Sequence, residues 1–277
     1  MAPPGIPGRR RRDLTGLRTV VTGGSSGVGR AVALELAGRG AAVLATARRL
    51  ERLERLAAEA GGGTRVVVEA GDVCDPAFRS HLAAAARARL GGLDCLVAAA
   101  GGGAIGRFRD AAPQTLSRLL DLDLVAPLEL VRCCLPQLAL GRQPGIVLVG
   151  SILGLHPLPL HGEYCAAKAG LRAAAGALRL ELAADGIDVM HVALGPVASE
   201  FWESLVAGSR PSWSRGRAMP ADRAARAIVD GLVSRAAEVT PGWRALGYAW
   251  AARHAPGLID MVARRWLRDE RRDATAR

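Results

Sequence analysis

The sequence has one lysine and no asparagine. Lysine and arginine together number 37, and Lys168 is the single lysine among them. Because arginine serves here wherever a general positive charge is needed, the surviving lysine marks a position that a broad, planar guanidinium cannot fill. The absence of asparagine excludes every role that needs this side-chain amide, which both donates and accepts hydrogen bonds.

Further absences exclude several classes of protein. The five cysteines form no CxxC pair and no spacing of the disulfide-rich secreted type. No apolar stretch is long enough to span a bilayer, and no signal-peptide core follows the arginines at 9–12. The five histidines have no ligand-type spacing. The sequence therefore predicts a cytoplasmic protein without a metal site.

The net charge of +11 is concentrated at the two ends of the chain. Residues 1–12 carry four arginines and no acid, and residues 264–277 carry six arginines and three acids. Basic tails are more often solvated extensions than binding arms, and no nucleic-acid-binding motif is present. We therefore expect no nucleic-acid partner. Weak association of the basic C-terminal extension with membrane surfaces is left open.

Apolar runs alternate with helical segments rich in alanine, leucine and arginine, which is typical of βαβ units. The predicted strands lie near 18–22, 42–46, 65–69, 94–98, 145–150, 187–193 and 236–240, and the longest helices near 113–139 and 163–185. The predicted fold class is α/β, a doubly wound, Rossmann-like parallel sheet of about seven strands with helices on both faces and a C-terminal helical extension. We expect a basic disordered arm over 1–13, one domain over 14–242 and the extension over 243–277.

Tyr164 and Lys168 are four residues apart, about one helical turn, so their side chains are predicted to share one face of a helix. A cation beside a phenol favours the phenolate and lowers the pKa of the tyrosine toward the range useful for proton transfer. The alternative is a surface tyrosine and lysine that are neighbours by chance.

A glycine-rich turn follows the first predicted strand and leads into a helical segment at 31–39. Such a turn forms an anion site, because backbone N–H groups and the positive end of the helix dipole face the ligand. The alternative is a turn without a ligand. The candidate binding residues are Gly23, Ser25, Ser26, Gly27, Val28 and Gly29.

These motifs together resemble the short-chain dehydrogenase/reductase family over residues 14–242. The turn is similar to the family's cofactor loop, and Tyr164 with Lys168 to its catalytic motif, while Ser151 precedes Tyr164 by the family's spacing of 13 residues. The resemblance implies hydride transfer between NAD(P) and an alcohol, ketone or aldehyde, with Tyr164 as proton donor or acceptor. It implies that Ser151, Tyr164 and Lys168 are catalytic, and that Lys168, Asp72, Val73 and Val197 contact the cofactor.

Two departures from the family pattern affect the predicted site. The family usually has Asn-Asn-Ala-Gly after its fourth strand, where this chain has Ala98-Ala99-Ala100-Gly101. The usual catalytic asparagine is replaced by Asp123. Asp123 can accept hydrogen bonds and hold a water beside Lys168, but its charge offsets part of the lysine's effect on Tyr164. The favoured interpretation is a tolerated variant of the active site. The alternative is a catalytically impaired nucleotide-binding sensor or scaffold.

The end of the second predicted strand bears on the choice of cofactor. NAD-specific sites place a carboxylate there for the ribose hydroxyl. This chain has Arg48 and no acid until Glu51, and an arginine suits the 2′-phosphate of NADP. We therefore expect NADP, with NAD as the alternative.

In the resembled family the segment at 199–220 is a substrate lid, and here it contains Phe201, Trp202 and Trp213. These side chains favour a small apolar carbonyl or alcohol substrate. The family commonly pairs its two long helices across a twofold axis, so the chain is expected to form a homodimer or homotetramer. The amphipathic C-terminal extension favours core or subunit packing over a membrane anchor.

Overall fold

The computed structural model describes residues 10–63, 65–203, 205–208 and 218–275, with side chains through residue 268. The strands, in chain order, are β1 Arg18–Thr22, β2 Ala42–Ala47, β3 Val66–Ala70, β4 Cys95–Ala98, β5 Gly103–Ala104, β6 Gly145–Val149, β7 Asp188–Val192, β8 Val197–Ala198, β9 Leu205–Ala207, β10 Met219–Pro220 and β11 Glu238–Val239. The α-helices are α1 Gly27–Gly38, α2 Leu50–Glu59, α3 Pro76–Leu90, α4 Thr115–Leu120, α5 Ala126–Leu138, α6 Gly162–Glu181, α7 Ala221–Ser234, α8 Trp243–His254 and α9 Pro256–Thr275.

Seven strands form one parallel sheet in the order β11-β7-β6-β4-β1-β2-β3. The chain first builds outward from β1 to β3 and then continues on the other side of β1 from β4 to β11. The loops after β1 and β4 therefore diverge from a switch point at the carboxyl edge, where ligands of such sheets bind. The predicted doubly wound, Rossmann-like fold is confirmed.

Successive strand residues face two separate cores because side chains alternate across a sheet. Val21 and Val97 belong to the core beneath α1, α2 and α7, whereas Val20 and Leu96 belong to the core beneath α3, α5 and α6. All four side chains are fully buried. This burial on both faces explains the uninterrupted apolar runs of the strands.

The helix predicted over 113–139 contains a π-helical turn at Asp121–Val125 between α4 and α5. Such single π turns are often found at functional sites, and this one carries Asp123. The last two helices, α8 and α9, form the predicted C-terminal extension. Among the helices that the structure describes, none combines the length and apolar content needed to cross a membrane.

The predicted disordered arm over 1–13 is wrong at Arg12, while residues 1–9 lie outside the described part of the chain. Arg12 is buried, and its guanidinium donates to Asp188 Oδ2 at 2.7 Å. It also donates to three carbonyl oxygens, those of Gln143, Pro144 and Leu232, at 2.6 to 2.9 Å. A buried guanidinium is tolerated when its donors are paired in this way, so this arginine belongs to the folded domain.

We expect Arg12→Ala to lower the free energy of unfolding by about 3 kcal/mol, because it breaks a buried ion pair and leaves carbonyl groups without their donor. Arg235 still contacts Asp188 at 2.6 Å and limits the loss. Arg11→Ala is the matched control, since Arg11 is exposed, and should change stability by no more than about 0.5 kcal/mol. Urea unfolding measures both. Equal small effects in the two variants would contradict a structural role for Arg12.

Candidate active site

The glycine-rich turn after β1 is shaped by two close backbone approaches. Gly23 has φ +74°, and a Cβ atom there would lie 2.8 Å from the carbonyl oxygen of Ala99 in the loop after β4. A Cβ atom on Gly29 would lie 2.4 Å from the carbonyl oxygen of Gly23. Glycine at both positions lets the turn close against the loop after β4 and against the start of α1. The N-terminus of α1 is thereby placed at the switch point of the sheet.

Arg49, the N-cap residue of α2, is a site residue that sequence reasoning missed. One of its terminal nitrogens donates to the hydroxyls of Ser25 and Ser26 at 3.0 Å each, and the other lies 3.4 Å from a carboxylate oxygen of Glu200. Arg48 lines the same cavity. The two arginines are adjacent after β2, so sequence alone could not decide which one turns toward the serines.

A cavity of about 870 Å³ extends along the carboxyl edge of the sheet. All of the site residues predicted from the sequence line it: Gly23, Ser25, Ser26, Gly27, Val28, Gly29, Arg48, Asp72, Val73, Ser151, Tyr164, Lys168 and Val197. Residues far apart in the sequence are brought together because each follows or lies close to the carboxyl end of a parallel strand.

The lining residues fit a nicotinamide dinucleotide. The glycine turn and the N-terminus of α1 offer backbone N–H groups to phosphates, and Arg48 and Arg49 add positive charge beside them. Val73 is 8% exposed and gives the cavity an apolar wall beside Asp72, whose carboxylate accepts from the N–H of Cys74 at 2.9 Å. The cavity contains both this region and the group of Ser151, Tyr164 and Lys168.

Ser151, Tyr164 and Lys168 meet where β6 ends against α6. Ser151 lies two residues after the end of β6, and its hydroxyl accepts from the N–H of Leu153 at 3.1 Å. Tyr164 and Lys168 lie one turn apart on α6, with the Lys168 ammonium 5.7 Å from the centroid of the Tyr164 ring. The Lys168 side chain is 6% exposed and donates to the carbonyl oxygen of Val149 at 3.3 Å. These positions allow a proton to pass between Tyr164 and a substrate oxygen held by Ser151.

The pKa of Tyr164 departs from the direction expected from its lysine neighbour. Burial raises this pKa well above its ordinary value, and the negative charge of Asp123 raises it further, while a hydrogen bond with Ser151 acts in the opposite direction. Tyr164 is partly exposed and lines the cavity, but the protein atoms packed around it still disfavour the charged phenolate. The expected lowering of the Tyr164 pKa is therefore not observed: the pKa is raised, which keeps the phenol protonated at neutral pH.

Asp123 binds the loop after β4 directly. Its Oδ1 atom accepts from the N–H of Gly102 at 2.9 Å and lies 3.6 Å from the Lys168 ammonium. Oδ2 is buried and has no hydrogen-bond partner among the described residues. Burial raises the pKa of Asp123, and Lys168 opposes this effect. Asp123 therefore contacts backbone and lysine at the position where sequence reasoning expected a water-holding group.

Thr22 holds the same loop from the other side. Its hydroxyl oxygen accepts from the backbone N–H groups of Ala99 and Ala100, each at 3.0 Å. Ala99, which stands where the family has its second asparagine, is thus fixed through its backbone, as is Ala100. The sequence could indicate this role only weakly, because a threonine at the end of a strand has many other uses.

Much of the cavity lining is apolar or aromatic, and α8 contributes to it. Phe201 packs edge-on against Tyr164, with ring centroids 5.9 Å apart. In the predicted lid over 199–220, residues 204 and 209–217, including Trp213, lie outside the described part of the chain. The apolar and aromatic lining residues include Ile105, Leu153, Leu158, Trp202, Trp243 and Tyr248. Sequence reasoning placed the last two in an extension beyond the site, and it missed their contribution to the cavity.

Residues 18–209 match a family model described as short chain dehydrogenase. The chain is 34% identical over 208 residues to human dehydrogenase/reductase SDR family member 7, covering 73% of this chain and 61% of that protein. This chain thus spans less than two thirds of that relative.

Two bacterial proteins are also similar. The 2,3-dihydroxy-2,3-dihydro-p-cumate dehydrogenase of Pseudomonas putida is 36% identical over 199 residues, which are 70% of this chain and 76% of that enzyme. An uncharacterized oxidoreductase of Myxococcus xanthus is 32% identical over 249 residues, which are 89% of this chain and 96% of that protein.

Proposed function

The chain belongs to the short-chain dehydrogenase/reductase family, and we propose that it is an NADP-dependent oxidoreductase that interconverts an alcohol and a ketone or aldehyde on an apolar substrate. The observation that carries this proposal is the meeting of Ser151, Tyr164 and Lys168 in the same cavity as the glycine turn. A bound nicotinamide dinucleotide would supply or accept the hydride at this site.

The residues of the chain would bind and orient the substrate and would protonate its oxygen. Ser151 donates a hydrogen bond to the substrate oxygen, and Tyr164 donates its phenolic proton to that oxygen in the direction of reduction. The raised pKa of Tyr164 keeps this proton in place at neutral pH. Lys168, held between Val149 and Asp123, supplies a fixed positive charge beside Tyr164 and toward the nicotinamide end. The apolar walls exclude water from the reacting oxygen.

The preference for NADP is supported by two arginines directly after β2 and by the absence of a carboxylate at that point of the sequence. Both arginines line the cavity, and Arg49 already contacts the serines of the glycine turn. A 2′-phosphate in this region would be met by two guanidinium groups, whereas a 2′-hydroxyl would lack its usual acceptor.

Arg48→Asp should weaken NADPH binding about ten-fold or more and leave NADH binding within about three-fold, because a favourable charge pair becomes a repulsion for the phosphate alone. Fluorescence titration with both cofactors measures this difference. Arg55→Asp is the matched control, since Arg55 is exposed on α2 and does not line the cavity. Equal affinity of the parent protein for NADPH and NADH would contradict the preference.

The second candidate is a nucleotide-binding sensor that does not turn over substrate. The observation that favours it is the buried carboxylate of Asp123, which lies 3.6 Å from Lys168 and helps to raise the pKa of Tyr164. Turnover of apolar ketones and aldehydes with NADPH supports the enzyme. Tight NADPH binding with no turnover of any of them supports the sensor.

We further propose that α5 and α6 form the interface of a homodimer or homotetramer. Leu180 on α6 is 76% exposed, Ala173 is also exposed, and a Cβ atom on Gly176 would meet no atom within 4 Å. Sedimentation should show an oligomer for the parent protein and a smaller species for Ala173→Arg, because a long cation prevents close helix approach. Ala58→Arg, at an exposed site on α2, should sediment as the parent does. A monomeric parent would refute the proposal.

A further inference from the structure

Helices α8 and α9 present large apolar side chains to solvent. On α8, Trp243 is 73%, Leu246 54% and Trp250 63% exposed, at spacings of three and four residues that place them on one side of the helix. On α9, Leu258, Met261 and Val262 are 45% to 55% exposed. We call these six residues the α8–α9 face. Exposed apolar residues grouped on two helices that pack against each other mark interaction surfaces more often than ordinary solvent-facing positions.

The opposite side of these helices is firmly attached to the domain. Ala245 and Tyr248 pack against the short helical turn after Ser151, and the Tyr248 hydroxyl donates to the carbonyl oxygen of His156 at 2.8 Å. His156 also contacts Asp260 of α9 at 2.9 Å. Ile259 and Ala263 of α9 are buried. The α8–α9 face is therefore the outward side of two helices whose inward sides are already packed.

Exposed arginines accompany the face. Residues 243–268 contain five arginines and one acid, Asp260, and the five are Arg244, Arg253, Arg264, Arg265 and Arg268. All five are exposed. The Arg244 guanidinium lies 5.1 Å from the centroid of the Trp243 ring. Arginine can lay its alkyl stem along apolar groups and extend its charge to a phosphate, and tryptophan favours the boundary between hydrocarbon and water.

We propose that the α8–α9 face binds the surface of membranes that contain anionic lipids. Apolar side chains with surrounding arginines are the composition of helices that lie in the headgroup region of a bilayer. A second copy of this chain is the poorer occupant, because a self-complementary contact would bring the arginines of one copy against those of the other. Charge complementarity therefore selects an anionic partner, and the apolar side chains select a lipid one.

Such docking would place the cavity beside the lipid surface. Trp243 and Arg244 belong to α8 and also line the cavity that holds Tyr164. An apolar substrate dissolved in the membrane would then reach the site along α8. This consequence rests on the proposed function, whereas the binding of lipid does not.

Co-sedimentation with vesicles tests the docking, using pure phosphatidylcholine and an equal mixture of phosphatidylcholine and phosphatidylglycerol. We expect the full-length protein to bind the mixed vesicles, to bind the neutral ones weakly, and to be released by high salt. W250Q/M261Q should lower partitioning about ten-fold or more by removing apolar contacts. R253Q/R264Q/R265Q should have a similar effect by removing charge.

Two control variants match these changes elsewhere on the surface. L140Q removes a leucine that is 86% exposed, and R55Q/R87Q/R118Q removes three exposed arginines outside the face. Both should bind mixed vesicles within about three-fold of the parent, apart from a small loss due to net charge. NADPH titration of each variant shows whether it is folded and tests the proposed function separately.

Failure of the parent protein to bind mixed vesicles would overturn the proposal, as would equal losses in the control variants. A smaller sedimenting species for lipid-free W250Q/M261Q would show instead that a second copy covers the face. Vesicle binding by a protein that binds no NADPH would refute the proposed function and leave the docking intact.

Discussion

Tyr164→Phe is expected to bind NADPH almost as tightly as the parent protein and to turn over at least about a hundred-fold more slowly. The phenyl ring keeps its edge contact with Phe201 and its position 5.7 Å from the Lys168 ammonium. The hydroxyl is lost, and with it the group that we propose gives or takes the proton. Steady-state kinetics with apolar ketones and aldehydes, together with a fluorescence titration, measure both expectations.

Tyr248→Phe is the matched control because it deletes the same atom from the second of the two tyrosines. Tyr248 also lines the cavity, but its hydroxyl donates to a backbone carbonyl, that of His156. Its loss should cost about 1 kcal/mol of stability and change turnover by no more than about five-fold. Comparable turnover in Tyr164→Phe and the parent would overturn the assigned role. Equal losses in both variants would show damage to the cavity instead of a loss of proton transfer.

The sheet could be predicted closely because its strands are buried on both faces. Runs such as Ile146 to Val149 are continuously apolar, and each is followed by a helical pattern, so both the strands and their parallel direction follow from the sequence. The strand predicted over 236–240 is shorter in the structure, at Glu238–Val239. It pairs with β7 alone at the edge of the sheet, where pairing depends on tertiary contacts more than on composition.

Cavity residues could be predicted from the sequence where a local motif determines their positions. They could not be predicted where a contact with a distant part of the chain determines them. The turn from Gly23 to Gly29 and the pair Tyr164 and Lys168 have local spacings that already imply their geometry. The contact between Asp123 and the N–H of Gly102 joins a helix to a loop 21 residues away, and no local sequence pattern predicts it. The buried ion pair between Arg12 and Asp188, which is 176 residues later, could not be predicted from the sequence for the same reason.

The pKa of Tyr164 shows why a sequence motif alone does not predict the electrostatics of a site. The spacing of Tyr164 and Lys168 indicates a nearby cation, which lowers the pKa of a phenol. It does not report how much solvent the fold removes, nor that Asp123 lies between the lysine and the loop after β4. Burial and the negative charge of Asp123 both raise the pKa of Tyr164, and its net pKa is raised despite the nearby cation. The sign of the shift therefore follows from tertiary structure, and we expect Asp123 to influence the pH dependence of the proposed reaction.

Asp123→Asn is expected to retain activity and to move the pH profile of alcohol oxidation to lower pH. The Oδ1 atom of asparagine can still accept from the N–H of Gly102, so the loop after β4 keeps its anchor. The charge that raises the pKa of Tyr164 is removed, and the phenolate that accepts the alcohol proton then forms at lower pH. Oxidation near neutral pH should rise about three- to ten-fold.

The way in which the activities of the parent and Asp123→Asn depend on pH gives a second test of the electrostatic role of Asp123. Because burial raises the pKa of Asp123, the carboxyl group of the parent loses its charge as the pH falls, so the two profiles should converge at acidic pH and separate as the pH rises. Asp121→Asn, in the same π turn but exposed, should follow the parent at every pH. Lower activity of Asp123→Asn with an unshifted profile would contradict the electrostatic role of Asp123. Tight NADPH binding without turnover in both the parent and Asp123→Asn would favour the sensor. Restoring the asparagine would then have failed to restore activity, so its absence would not explain the lack of turnover.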